Sequence, residues 1–200
     1  RVLFRSRAFW ECFYPQAQKA FGPALADVSL EAFYFAINDV QPSLIRVEAD
    51  EATYNLHILL RFELERELLR GELPVAELPT AWNARYREYL GVEPPDDAQG
   101  VLQDIHWSAG LIGYFPTYAL GNLYACQLFE AAEREVGSLA ALFRQGEFQP
   151  LLEWLREHVH RQGKRYPAET LIEKATGAAP SHEPLIRYLR HKYGTLYGIA

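Results

Sequence analysis

Residues 100–122 read GVLQDIHWSAGLIGYFPTYALGN, gathering Gln103, Asp104, His106, Trp107, Tyr114 and Tyr118 between glycines at 100, 110, 113 and 121. Every polar group taken out of water must find a partner, so a helix with only a packing role has little use for so many donors, acceptors and aromatics together. The stretch therefore reads as the wall of a site. His106 can donate a hydrogen bond to a charged oxygen. Tyr114 and Tyr118, four apart, share a face if the stretch is helical, and a phenol can stabilise an oxyanion without being charged itself. A helix would also hold Asp104 and His106 apart and put Gln103 on one face with His106 or Trp107. The same residues would equally serve as a polar network pinning two helices together.

Arg46 lies in the apolar setting Leu44-Ile45-Arg46-Val47. A buried arginine needs an anion, and a carboxylate accepts its planar fork in two parallel hydrogen bonds. That anion is either a ligand or an internal partner, for which Glu48, Asp50 and Glu51 are the near candidates. His57, on a helical face with Tyr54 and Phe62, reads as a core histidine. His158 and His160 form an HxH beside Glu157 that would suit a metal on a strand; on a helix they point to different sides and read as surface residues. No HExxH, GxSxG, CxxC or glycine-rich phosphate loop is present, so the chain carries no self-sufficient catalytic set.

The elements that must position these residues are mostly helical. Residues 7–21 are aromatic-rich and read as the end of a buried helix, and a second helix starts after Ser29. Residues 44–49 alternate apolar and polar side chains like a short strand. From Asp50 the period changes to 3 and 4 through Tyr54, His57, Ile58, Phe62 and Glu65, stopping at Gly71, with Asp50 or Thr53 as cap. Residues 78–90 form another helix ended by Gly91, and the helix of the central stretch continues to Val136. Helices at 138–144, 150–159, from Tyr166-Pro167 to Gly177, and 184–196 complete the chain. The class is all-α, with about eight helices and at most a short strand near Ile45.

Composition narrows the function. With 49% hydrophobic and 23% charged residues, 200 residues make one folded core or a large part of one. A net charge of −6 without a basic run argues against nucleic acid. Cys12 and Cys126 suggest neither a disulfide framework nor a cysteine metal site, and no apolar run suits a membrane span; a reducing cytoplasm is expected. Residues 1–6, RVLFRS, back-translate to the end of a common sequencing-library adapter and are expected to be a non-native leader.

Ile45-Arg46-Val47-Glu48-Ala49-Asp50 fits IRxxAD, and residues 100–107 fit GxxQDxHW. Both signatures resemble those of the M32 zinc metallocarboxypeptidases, and so do the flanks SRAFW, TYNLHI, GYFPTYALGN and KYGTLYGI. The resemblance covers nearly the whole chain. It implies the two-lobed, all-α fold of neurolysin-like zinc peptidases, usually homodimeric, with residues 7–200 as the C-terminal part of one catalytic domain. It implies release of C-terminal amino acids from peptides, with zinc held by HExxH and a later HES motif; neither motif is in this sequence, so no residue here is assigned to metal and the fragment alone is expected to be inactive. Within that resemblance Arg46, with Gln103, is expected to hold the substrate carboxylate. His106, Tyr114 and Tyr118 are the expected catalytic hydrogen-bond donors, and Asp50 and Asp104 the groups that orient Arg46 and His106. Competing readings are a non-catalytic helical interaction module and an unrelated binder of anionic ligands.

Overall fold

The computed structural model describes residues 3–199; of the leader expected to be foreign, Arg1 and Val2 lie outside that range. Nine α-helices and four short 3-10 turns make up the regular structure, with no strand among the described residues. They are α1 (Arg7–Phe21), α2 (Leu30–Asn38), α3 (Tyr54–Leu69), α4 (Leu78–Leu90), α5 (Pro116–Val136), α6 (Leu139–Arg144), α7 (Gln149–His158), α8 (Ala168–Thr176) and α9 (Glu183–Tyr197). No helix among the described residues is long and apolar enough to cross a membrane.

The chain divides into two compact units, one formed by residues up to Asn38 with those from Asn122 onward, the other by Asp39–Gly121. In the first, α1 packs on α2 and α6, and the core gathers Ala8, Ala131, Ala132, Leu139, Phe143, Trp154 and Ala175. Residues 7–21 begin a helix rather than end one: Ser6 Oγ accepts from Phe9 N at 3.2 Å, and α1 runs on through Pro15. Proline inside a helix removes one backbone bond, and packing of α1 on two neighbours outweighs that local loss. Ser138 caps α6 in the same way, accepting from Ala141 N.

The second unit is built on α3 against α4, around Leu60, Leu64, Leu78, Trp82, Tyr86 and Leu90. A smaller cluster of Ala49, Tyr54, Ile58 and Phe115 continues it. Gly91 ends α4 with φ +69° and Gly177 ends α8 with φ +74°, the left-handed caps that only glycine adopts without strain.

Two further expected elements differ. Residues 44–49 are not a strand: Ile45 is extended, and Arg46–Glu48 form a 3-10 turn closed by Glu48 N and Ala49 N donating to Ile45 O and Arg46 O. No neighbouring strand among the described residues is present to complete a ladder. The alternation still separates inside from outside, but inverted, with Arg46 buried at 6% exposure and Val47 68% exposed. The central stretch is not helical before Pro116; residues 96–115 pass through successive turns. Gly110 and Gly113, at φ +73° and +76°, hold backbone that a right-handed helix cannot contain. Gly121, by contrast, is an ordinary position inside α5.

Candidate functional site

Four elements of the second unit meet at one polar cluster. Helix α3 presents Tyr54, His57, Arg61 and Glu65 at spacings of 3 and 4, all buried. Helix α4 adds Trp82 and Tyr86, the 3-10 turn adds Arg46, and the turns after Gly100 add Gln103, Asp104, His106 and Trp107.

At its centre one carboxylate faces two guanidiniums. Arg46 Nε and Nη2 donate to Asp104 Oδ1 at 3.0 and 2.6 Å, and Arg61 Nε donates to Asp104 Oδ2 at 2.7 Å. Arg61 is fully buried, its Nη1 donating to His57 O and its guanidinium 4.5 Å from the Trp82 ring centre. Burial opposes the charge on Asp104, but hydrogen bonds from Arg46 and the charge of Arg61 outweigh it and hold the carboxyl below its usual range. The local anion for Arg46 is therefore Asp104, 58 residues away, in place of Glu48, Asp50 or Glu51.

Arg46 keeps part of its fork. Nη1 donates to Tyr54 Oη at 3.1 Å, so one N–H on each terminal nitrogen remains uncommitted. The guanidinium lies 4.9 Å from the Tyr118 ring centre.

Gln103 is engaged inside the protein. Its Oε1 accepts from Arg46 N at 2.9 Å, and its Nε2 has Leu44 O, Gln99 O, Gly100 O and Tyr86 Oη within 3.0 to 3.1 Å. It ties the two signature segments together by backbone contacts. Asp50 does not reach Arg46 or His106 in a hydrogen bond: Oδ1 accepts from Ala52 N and Thr53 N, and Oδ2 from Thr53 Oγ1, which closes the turn leading into α3.

His106, 7% exposed, has Nε2 2.9 Å from Tyr118 Oη, and its Nδ1, 3.7 Å from Asp104 Oδ1, makes no hydrogen bond. Because the stretch turns instead of coiling into a helix, Asp104 and His106 approach each other after all. Burial, aided by Arg46 and Arg61, lowers the His106 pKa against the pull of Asp104, which favours the neutral ring. Tyr118 is bonded to His106, and burial raises its pKa. Tyr114 is 43% exposed, its ring 5.6 Å from His106 and 5.5 Å from Tyr118, and its phenol makes no hydrogen bond among the described residues.

His57 is the core histidine expected from its spacing. It is fully buried, with Nδ1 3.2 Å from Tyr86 Oη, and burial first, then Arg61 and Arg46, push its pKa down to about 4. The unfolded chain takes up this proton near pH 6.5 and the folded chain does not, so its stabilising share is complete above pH 6.5. It declines as pH falls toward 4 and is constant below. The loss should reach about 3 kcal/mol, and urea unfolding between pH 7 and 4 should show it in the parent chain but not in His57→Phe.

Arg61 and Tyr86 were not among the residues expected from the motifs. The signal for Arg61 was its place in a polar row, Tyr54, His57, Arg61, Glu65, at core spacing on α3. Tyr86, whose hydroxyl donates to Leu44 O, is fully buried and carried no comparable mark. His158 ends α7 and His160 lies in the following 3-10 turn; no group of three His, Cys, Asp or Glu side chains among the described residues could hold a metal ion.

The second unit is thus strand-free among the described residues and holds an arginine–aspartate–arginine cluster beside an exposed phenol. The profile that matches residues 1–193 is that of the Carboxypeptidase Taq (M32) metallopeptidases, and the chain belongs to that family. It is 57% identical over 197 residues to thermostable carboxypeptidase 1 of Thermus thermophilus, covering 98% of this chain and 38% of that protein. Carboxypeptidase 1 of Bacillus subtilis is 46% identical over 96% of this chain, again 38% of the relative. The crystal structure of an M32 carboxypeptidase from Deinococcus radiodurans superposes with a TM-score of 0.96 at 47% identity, over 99% of this chain and 40% of that one. The chain thus spans about two fifths of the length of the relatives it matches.

Proposed function

We propose that this chain supplies the carboxylate-recognition wall of a metallocarboxypeptidase that releases C-terminal amino acids from peptides. The observation that carries the reading is the held but incompletely used fork of Arg46, with an uncommitted N–H on each terminal nitrogen. A substrate carboxylate would take both in a bidentate pair, and in a setting where Arg46 is 6% exposed such a pair is stronger than in water. Asp104 fixes the other edge of the guanidinium, and Gln103 fixes the backbone beneath it. Tyr114 is the phenol open to solvent; we assign it a hydrogen bond to substrate oxygen, with the His106–Tyr118 pair behind it.

Among the described residues no group of three His, Cys, Asp or Glu side chains could hold a metal ion. We propose zinc for the whole enzyme, held by polypeptide outside this sequence, with a homodimer in the cytoplasm acting on peptides whose C-terminus is free. A longer protein containing this chain should cleave free peptides and leave their C-terminal amides nearly untouched. Equal rates on the two would overturn the assignment. In that protein Tyr114→Phe should lower kcat by about 10- to 1000-fold with KM little changed, as for loss of an oxyanion donor.

A further inference from the structure

Glu65 has no place in either signature motif, yet it is 3% exposed and both of its oxygens are engaged by the loop that carries the site. Oε2 accepts from Trp107 Nε1 at 2.7 Å, and Oε1 accepts from Gly113 N at 2.7 Å. The segment between these anchors leaves the core: residues 108–113 are exposed, Leu111 and Ile112 among them at 41% and 51%. Internal turns, Gly110 N to Trp107 O and Leu111 N to His106 O, shape this arm but do not attach its far end to the core. The far end is attached by the Glu65 bond to Gly113 N, where φ +76° turns the chain toward Tyr114.

His106 immediately precedes one anchor and Tyr114 immediately follows the other. We propose that Glu65 is a positioning residue: one carboxylate closes the base of the 107–113 arm and so fixes the spacing of His106 and Tyr114. The assignment of a reaction to those two side chains rests on the function proposed above; the closure of the arm does not. A carboxylate suits the task because both of its oxygens accept, whereas an amide would turn a donor toward either the indole N–H or the Gly113 N–H. The indole is held independently against Trp82 and Phe115, edge-on at 6.2 and 5.8 Å, so the anchor is rigid.

Amide hydrogen exchange across residues 107–113, compared with α4 as an internal reference, tests the closure in a longer protein that contains this chain. In Glu65→Gln the arm should exchange at least about 10-fold faster while α4 is unchanged. Trp107→Phe removes the bond to Oε2 and leaves the Gly113 bond to Oε1; it should keep Gly113 protected and serves if the Glu65 variant unfolds. Unchanged exchange in Glu65→Gln, or loss of Gly113 protection in Trp107→Phe equal to that in Glu65→Gln, would overturn the closure.

Kinetics of the same protein test the positioning. Glu65→Gln should lower kcat at least 10-fold with KM within about 2-fold, and adding Tyr114→Phe should cost much less than it does in the parent. A rise in KM alone, or full additivity, would overturn positioning. Absence of carboxypeptidase activity in the parent protein would instead remove the functional reading, and the exchange result would still decide whether Glu65 closes the arm.

Discussion

Asp104→Ala is expected to destabilise the protein by about 3 to 5 kcal/mol, the range for removing one member of a buried charge cluster. Two guanidiniums depend on this carboxylate, Arg61 with no exposure and Arg46 with 6%, and neither has a second anion within hydrogen-bond reach among the described residues. The loss would consume a large share of the roughly 5 to 15 kcal/mol that holds an ordinary domain together. Asp104→Asn should be nearly as harmful, since its NH2 would turn donors toward either Arg46 or Arg61 and the neutral amide leaves both guanidiniums without an anion. Denaturant unfolding measures the effect. Replacing Arg61 by methionine in the Asp104→Ala background should recover part of the loss, because it removes an unpaired buried charge. A change below about 1 kcal/mol for Asp104→Ala alone would contradict the burial of the cluster. The pairing also sets an acid limit: with its pKa held low in the folded state, Asp104 contributes fully above the ordinary carboxyl range, and the contribution is lost as pH falls below it.

Arg46→Ala should have its largest effect on substrate binding, raising KM by a factor corresponding to about 2 to 5 kcal/mol, or roughly 30- to 5000-fold. Stability should suffer less than in Asp104→Ala, because Asp104 keeps its bond to Arg61 and no buried charge is left alone. Arg46→Lys retains the charge but loses the fork, and should recover only a minor part of the binding. The measurement is steady-state kinetics on peptides with free C-termini in a protein that includes the missing part of the family's length. A KM unchanged in Arg46→Ala would show that the uncommitted N–H groups face no substrate.

These two variants differ because Asp104 serves two arginines while Arg46 has one edge left over. The difference could not be anticipated from neighbours in the chain. Glu48, Asp50 and Glu51 were the near acids, but the 3-10 turn at Arg46–Glu48 directs Arg46 inward, and Asp50 is occupied by the backbone and hydroxyl at the start of α3. The anion that reaches Arg46 lies beyond two intervening helices in the chain.

What the amino-acid order determined by itself is whatever rests on neighbours within a turn or two. Helix ends at Gly91 and Gly177 belong here, because the left-handed cap is a property of glycine; so does the capping of α6 by Ser138. The burial of His57 followed from its spacing on α3. The two signature segments also carried the family in their own letters. Tertiary structure decided the rest, because a buried charge takes whichever partner the packing brings within 3 Å, however distant in the chain. Packing joined Arg46 to Asp104 and Arg61, took Gln103 into the backbone, and let turns at Gly110 and Gly113 replace the expected helix. It also enlisted Glu65, whose role depends on a loop 42 to 48 residues away.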